Sequence, residues 1–466
     1  MSKSIKQSNW TLDLLKAQLS QRKEIKAWII TEEHVHRRER YFLSEQGALA
    51  TDQDRNVHSR NISLRLFVHL QKDGRHGEIT KKLFPSLPLQ EQLEMAIQAA
   101  LQTDHQSWSL PTSFPSSSEV PEVKMADPKI AEDINQVTQK LTEQIQTATQ
   151  KKRASTFNSS ELFLSIHDRG IHLSNGLTHR SSQSRIYLET AFSYSKSKAN
   201  NSEDLTQSDE YLSTRWGVQL DQLMLDQLFD ETAECAEKSL DTAKPESGKY
   251  SVIIDSDVLS TLLHGQIGQL TALNSYHGLP FIKPESEFIP NSEGDLLTVT
   301  LDPSLDFGAS THALSEYGLL QPALKLVDKN VVCATAADKQ HADYLGISPT
   351  TSRGNIVIEA GTYSHQELTK QAPQVLEILQ FSGLFADPNS GTFSSEIRLA
   401  RLFDNQKGTV TYIKGGSLSG SITENFKNLR LSKNQVNRAH FSSDNAHGQG
   451  YYGPEHALLS NVSIVS

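Results

Sequence analysis

The sequence predicts an α+β protein of two domains, a mixed N-terminal domain over residues 1–245 and a β-rich C-terminal domain over 246–466. Three observations carry this. Helix-spaced leucine blocks are interleaved with β-branched and aromatic runs through the first half, the pattern of helices packed on antiparallel strands. Past residue 245 the pattern changes to short strands punctuated by glycines. The chain also has 466 residues, more than one ordinary core of about 100–200 residues supports.

From the start of the chain, Thr11 is the expected N-cap of a helix reaching Gln21, with Leu12, Leu15 and Leu19 on one face and Leu14 beside them. "IKAWIITEEHVHRRERYFL" and "ISLRLFVHLQKDGRHGEIT" each predict an antiparallel strand pair, Gly74 and Gly77 supplying turns. "LQEQLEMAIQAALQ" returns to helical spacing. Residues 107–128 hold four prolines and six serines, which predicts an extended surface connection with little to bury. A polar helix follows with Ile130, Ile134, Val137 and Leu141 as its apolar stripe. "ELFLSIHDRGIHLSNGLTHRSSQSRIYLETAFSYS" predicts a meander turning at "DRG" and "SNG". The linker "DTAKPESGKY" puts the domain boundary near Lys244 to Gly248. The strand "YSVIIDSD" then feeds a helix with Leu259, Leu262, Leu263, Ile267 and Leu270 at helical spacing. "SRGNIVIEAG", "GTFSSEIRLARLF" and "GTVTYIKGGSLSGSI" complete the β-rich part, and no short-period repeat is present.

Lys plus Arg number 45 against 55 Asp plus Glu, a net charge of −10 that repels a phosphate backbone and argues against nucleic-acid binding. Arg37, Arg38 and Arg40 are expected on a solvated strand edge. Two cysteines without CxxC spacing, Cys235 and Cys333, support neither a disulfide framework nor a zinc ribbon. No stretch approaches the roughly 18 apolar residues of a membrane span, so a cytoplasmic location away from membranes is expected.

In "LLHGQIGQLTALNSYHG" a histidine is followed five positions later by the place for a second, with room for a glutamate beside the first. The order of this and other landmarks resembles the TldD/TldE family, whose TldE branch is also called PmbA. The resemblance rests on "ISLRLFVHLQKDGRHGEI", "HLSNG", "GKYSVIIDSDVLSTLLHG", "SPTTSRGN" and the closing "SNVSIVS", and it spans nearly the whole chain. It implies a TldD/PmbA-type fold. In TldD the motif helix carries His-Glu-x-x-x-His and a later loop adds a cysteine zinc ligand. Here His264 alone matches: Gly265 stands for the general-base glutamate, Gln269 for the second histidine, and "SSDNAHGQGYYGP" has no cysteine.

A catalytic zinc needs about three protein ligands, an open position and a nearby base, which one histidine does not supply. His277, His312, His447 and His456 are the candidates for replacement ligands, with Glu285 or Glu316 as base. His167, His172 and His179 fall in the meander, where odd spacing puts His167 and His172 on opposite faces of a continuous strand. His34 and His36 share a face but neighbour arginines, which disfavour a cation. No Gly-x-Ser-x-Gly elbow or phosphate loop occurs.

The resulting expectation is a non-catalytic TldE-like subunit, without its own zinc or other cofactor. It pairs with a TldD-like metalloprotease subunit that carries the zinc, or with itself, and His277, Arg353, Asn355 and His447 are candidates for the peptide chamber. The alternatives are an active metallopeptidase with a rebuilt metal site and a peptide-binding homodimer scaffold. The sequence names no peptide substrate.

Overall fold

The computed structural model describes residues 10–45, 48–72, 74–116, 118–198, 201–279, 282–442 and 447–466. The first nine residues and part of the terminal glycine-rich loop lie outside these.

One sheet of 13 strands organises the molecule. Its centre is four long antiparallel strands, Thr178–Ser193, Thr156–Leu173, Ile25–Glu45 and Ala48–His69, in that order. "IKAWIITEEHVHRRERYFL" is therefore one strand and not the expected pair. It contains no Gly, Pro or Asn to turn on, and its charged residues find partners across the ladder: Arg40 Nε lies 3.1 Å from Asp54, and Arg60 2.6 Å from Glu32. "ISLRLFVHLQKDGRHGEIT" does form a pair, Ala48–His69 with Arg75–Leu83, turning through Gly74 at φ 70°. The chain reverses at "SNG" as expected but passes straight through "DRG". Gly170 there sits opposite Glu32 on one side and Arg180 on the other, and two neighbouring strands override a local turn signal.

Helices cover the sheet where the leucine spacing placed them. Thr11 caps Leu12–Gln21 by accepting from Leu14 N at 3.2 Å, and Leu15 and Leu19 are buried. The polar helix is broken: Asp133 is extended and its carboxylate accepts from Asn135 and Gln136 N, separating Pro128–Glu132 from Ile134–Thr149. All four residues of the expected stripe are nevertheless buried. The connection over 107–127 is irregular apart from a turn at Ser118 and Glu119, as expected, though Trp108 is buried against Phe67 and Tyr317. Cys235 and Cys333 are free thiols.

The big sheet continues past Tyr211–Gly217 into Gln435–His440, Gln449–Pro454, Asn355–Ile358 and Val299–Asp302, joined by the single bridge of Trp216 to Ala439. Beside it, Thr392–Asp404, Gln374–Ala386, Gly248–Asp255, His456–Val465 and Ser417–Ser421 pair in a ring, because Thr392–Asp404 also pairs with Ser417–Ser421. The ring is a closed five-stranded barrel, which leaves these strands no unpaired edge. Its filling, including Val252, Ile254, Leu376, Phe393, Ile397, Leu418 and Ile464, is continuous with the buried face of the helix Ser256–Gly268. Among the described residues no helix is long and apolar enough to cross a membrane.

Candidate functional site

Strand Gly248–Asp255 ends in the residue that starts the motif helix: Asp255 accepts from Val258 N at 2.9 Å and caps Ser256–Gly268. Leu259, Leu262, Leu263 and Ile267 face the barrel core. Regular helical spacing then separates the motif positions, leaving His264 exposed and Gln269 buried at 1% exposure. The tight turn at 387–391 between two barrel strands lies against this helix. Gln266 and Gln269 donate to the Pro388 carbonyl at 3.3 and 2.9 Å, and a Cβ on Gly265 would meet Pro388 Cβ at 3.3 Å. The positions where the motif would carry its glutamate and second histidine are thus covered by the chain's own turn. With His264 as the lone nitrogen donor and a neutral amide at 269, these residues do not fit a catalytic zinc.

A polar cavity of about 50 Å³ lies on one face of the big sheet. Period-2 alternation builds it: His167, Arg169 and Ile171 point to the same face of one strand, and His179, Ser181, Gln183 and Arg185 to that face of the next. Their register puts His167 opposite Gln183, Arg169 opposite Ser181, and Glu33 opposite Arg169 on the third strand. Residues 309–316 roof the cavity. Gln183 donates to Ala309 O at 3.0 Å, and Asn355, fully buried, accepts from Ser310 N at 2.9 Å and donates to Asp302 O and Thr311 Oγ1 at 2.8 and 3.0 Å. Gly450 must be a glycine here, since a Cβ would stand 1.9 Å from Asn355 Oδ1. His312, Glu316, Arg353 and His447 complete the lining.

The electrostatics of this cavity are cationic. Burial, with Arg169 nearby, lowers the Arg353 and Arg185 pKa values to about 10. Burial, with Arg353 beside it, lowers His312 to about 4, and burial with Arg353 and Arg169 lowers His447 further still. The imidazoles are therefore neutral near pH 7. Glu33 accepts a hydrogen bond from His167 at 3.1 Å, which holds it ionised against its burial.

A second cleft of about 240 Å³ opens at the N-terminal end of the motif helix. Asp255, Asp257, Glu377, Arg401, Arg438 and His456 line it. Beside it His365 lies 2.7 Å from Glu377, whose other oxygen accepts from Arg401 at 3.0 Å. One ligand atom each from His365, Glu377 and His456 fall within 4.8 Å of one another, and His456 Nδ1 is buried without a hydrogen bond. The Asp255 carboxyl is pushed up to about 6 by the protein around it and by Asp257.

The structure therefore brings His312, Glu316, Arg353 and His447 together, with His167 and His179, and places Asn355 behind them as the clamp on their roof. His277 and Glu285 are exposed elsewhere, and His456 belongs to the second cleft. His172 faces the other side of its strand, against Lys16 at 3.0 Å, as odd spacing requires. His34 pairs with Glu32, and His36 stacks on His58. Arg37, Arg38 and Arg40 each meet an acidic side chain. Arg169, Arg185, His365 and Glu377 escaped the sequence reading. The alternation of polar residues along "HDRGI" and "HRSSQSR" was the available signal for the first two.

Residues 247–466 match the model of the PmbA/TldA metallopeptidase C-terminal domain. They are a PmbA/TldD-family domain. Over the whole chain the fold is of the TldD/PmbA type. TldE from Thermococcus kodakarensis superposes with a TM-score of 0.74 at 14% identity, covering 98% of this chain and 100% of that one. A Bacteroides thetaiotaomicron structure named as a modulator of DNA gyrase gives 0.75 at 17% identity, over 100% and 99% of the two chains. One so named from Thermotoga maritima gives 0.73 at 16%, over 98% and 100%. At such identities the likeness is one of fold. A Methanothermobacter thermautotrophicus protein named Metalloprotease is 22% identical over 219 residues, 44% of this chain and 47% of its own, so the chain spans about half the length of this curated relative. Within this PmbA/TldD-family domain the helix following the first strand is the one whose motif positions are His264, Gly265 and Gln269, and the barrel is built from its strands.

Proposed function

We propose that this protein is a non-catalytic, TldE-like subunit that pairs with a TldD-like metalloprotease in the cytoplasm and contributes surface for binding peptides. The observation that carries the reading is the turn at 387–391 seated on the motif helix. It occupies the side where Gly265 and Gln269 replace the general base and a ligand, and Gln269 is committed to the Pro388 carbonyl. An extended peptide held by backbone pairing needs few charged groups, so loss of the metal site leaves a binding role intact. Co-expression with a TldD-like chain carrying the intact motif tests this: the two should co-purify, peptide cleavage should require both, and zinc should follow the partner. Cleavage by this chain alone, with about one zinc per chain, would overturn it.

That outcome would favour the second reading, a metallopeptidase with a rebuilt metal site. Its supporting observation is the grouping of His365, Glu377 and His456. Against it, both Glu377 oxygens are engaged, one by His365 and the other by Arg401.

A further inference from the structure

The cavity on the big sheet holds guanidinium groups that lack counter-ions among the described residues. Arg353 makes no hydrogen bond or ion pair there, and its Nε is buried. Arg169 donates only to the His447 ring, NH1 to Nε2 at 2.9 Å, and its own Nε is buried without a partner. Burial lowers the pKa of both, and Arg169 lowers that of Arg353 further, as a like charge in a poorly solvated space does. The remaining charges facing the cavity offset them only in part: Glu316 favours both guanidiniums and Glu33 favours Arg169, without a hydrogen bond to either among the described residues. Glu33 is bonded to His167, Glu316 stands exposed within 3.6 Å of Arg65, and Arg185 donates to Gln183 Oε1 at 3.3 Å. His167, His179, His312 and His447 are neutral donors or acceptors beside them.

Buried charge without a partner is costly, and the ordinary remedy is an ion of opposite sign. We infer that this cavity binds a compact oxyanion, and that its source is the carboxylate of a peptide, either a free C-terminus or an acidic side chain. The peptide source rests on the reading above; the oxyanion site does not. A guanidinium presents parallel N–H donors matched to a carboxylate's two oxygens, and Arg169 and Arg353 have unused donors. Neutral His447, whose Nε2 accepts from Arg169, keeps an N–H at Nδ1, while His312 spends its own on Ser310 O at 2.9 Å. About 50 Å³ exceeds the space one water needs, roughly 10–15 Å³ on the same measure, and suits a headgroup.

Calorimetry on the full chain alone separates this from the partner question. The probes are inorganic phosphate, acetyl-trialanine as the free acid, and the same peptide as its amide. The free acid should bind at least tenfold more tightly than the amide, and Arg353→Met or Arg169→Met should weaken it at least tenfold. With no anion present, Arg353→Met should melt at the same temperature or higher, because an unpaired buried charge has been removed. Binding of phosphate without preference for the acid over the amide supports the oxyanion site and overturns its peptide source. Binding of neither anion, or a lower melting temperature in Arg353→Met with no anion present, overturns the site itself, because the cation would then already be neutralised within the chain.

Discussion

Gln269 and His264 show how single residues decide what this helix does. Both lie on "HGQIGQ", yet one amide is buried against Pro388 and the imidazole is exposed. His264→Ala should leave any partner-dependent peptidase rate within about twofold, since a lost transition-state contact would cost about 1.4 kcal/mol per tenfold. The same assay on the partner's motif glutamate should show abolished activity. A large fall in rate for His264→Ala at unchanged stability would end the silent-subunit reading. Gln269→Ala should instead lower stability by about 1 kcal/mol, read from denaturant melts, because the Pro388 carbonyl loses the shorter of its two donors and a buried side chain is truncated. Asp255 gives a pH signature. Its folded pKa, about 6, is above the ordinary 3.8, so the folded state prefers the protonated acid and loses stability as pH rises through that interval. Asp255→Asn keeps an N-cap residue and should melt above the parent at pH 7, the difference vanishing near pH 3.5. Equal melting temperatures at pH 7 would count against this account.

At the scale of elements, the motif helix is held by packing more than by propensity. Its interior glycine, Gly265, costs about 1 kcal/mol relative to alanine, while Leu259 and Leu263 are fully buried in the barrel core. Leu263→Ala should therefore cost about 2–5 kcal/mol, measurable as a lower denaturant midpoint with the same m-value. A cost below 1 kcal/mol would mean that the barrel core does not need this helix. Apolar spacing identified Leu12–Gln21, Leu89–Leu101, Ile134–Thr149 and Ser256–Gly268 because each buries a stripe that the sequence displays, but it left the helix Leu225–Lys238 unread. Strand boundaries were less legible. "TEEHVHRRERY" reads as polar, and only the ion pairs across to Ala48–His69 make it one unbroken strand. "DRG" has turn chemistry that two flanking strands overrule.

For the whole molecule, we propose that residues 246–466 form the unit through which the chain dimerises, with itself or with a TldD-like partner. Light scattering on the full chain should give a dimer, or a mixed dimer when such a partner is present. A strict monomer under both conditions would count against it. Elemental analysis of the dialysed chain alone should find no stoichiometric zinc. A tightly held zinc lost in His456→Ala would locate it at His365, Glu377 and His456 and favour the second reading.

The sequence by itself determined the fold class, most of the long helices and which residue types stand at the motif positions, because burial stripes, turn residues and residue identities are local properties. It also named Arg353 and His447 as candidates for one chamber. Only the tertiary structure decided that they meet Arg169 and His312, that Asn355 clamps the roof over them instead of lining the cavity, and that the 387–391 turn covers the motif helix. These depend on strand register and on contacts between segments more than a hundred residues apart. A one-residue slip would turn each of those side chains to the other face of the sheet.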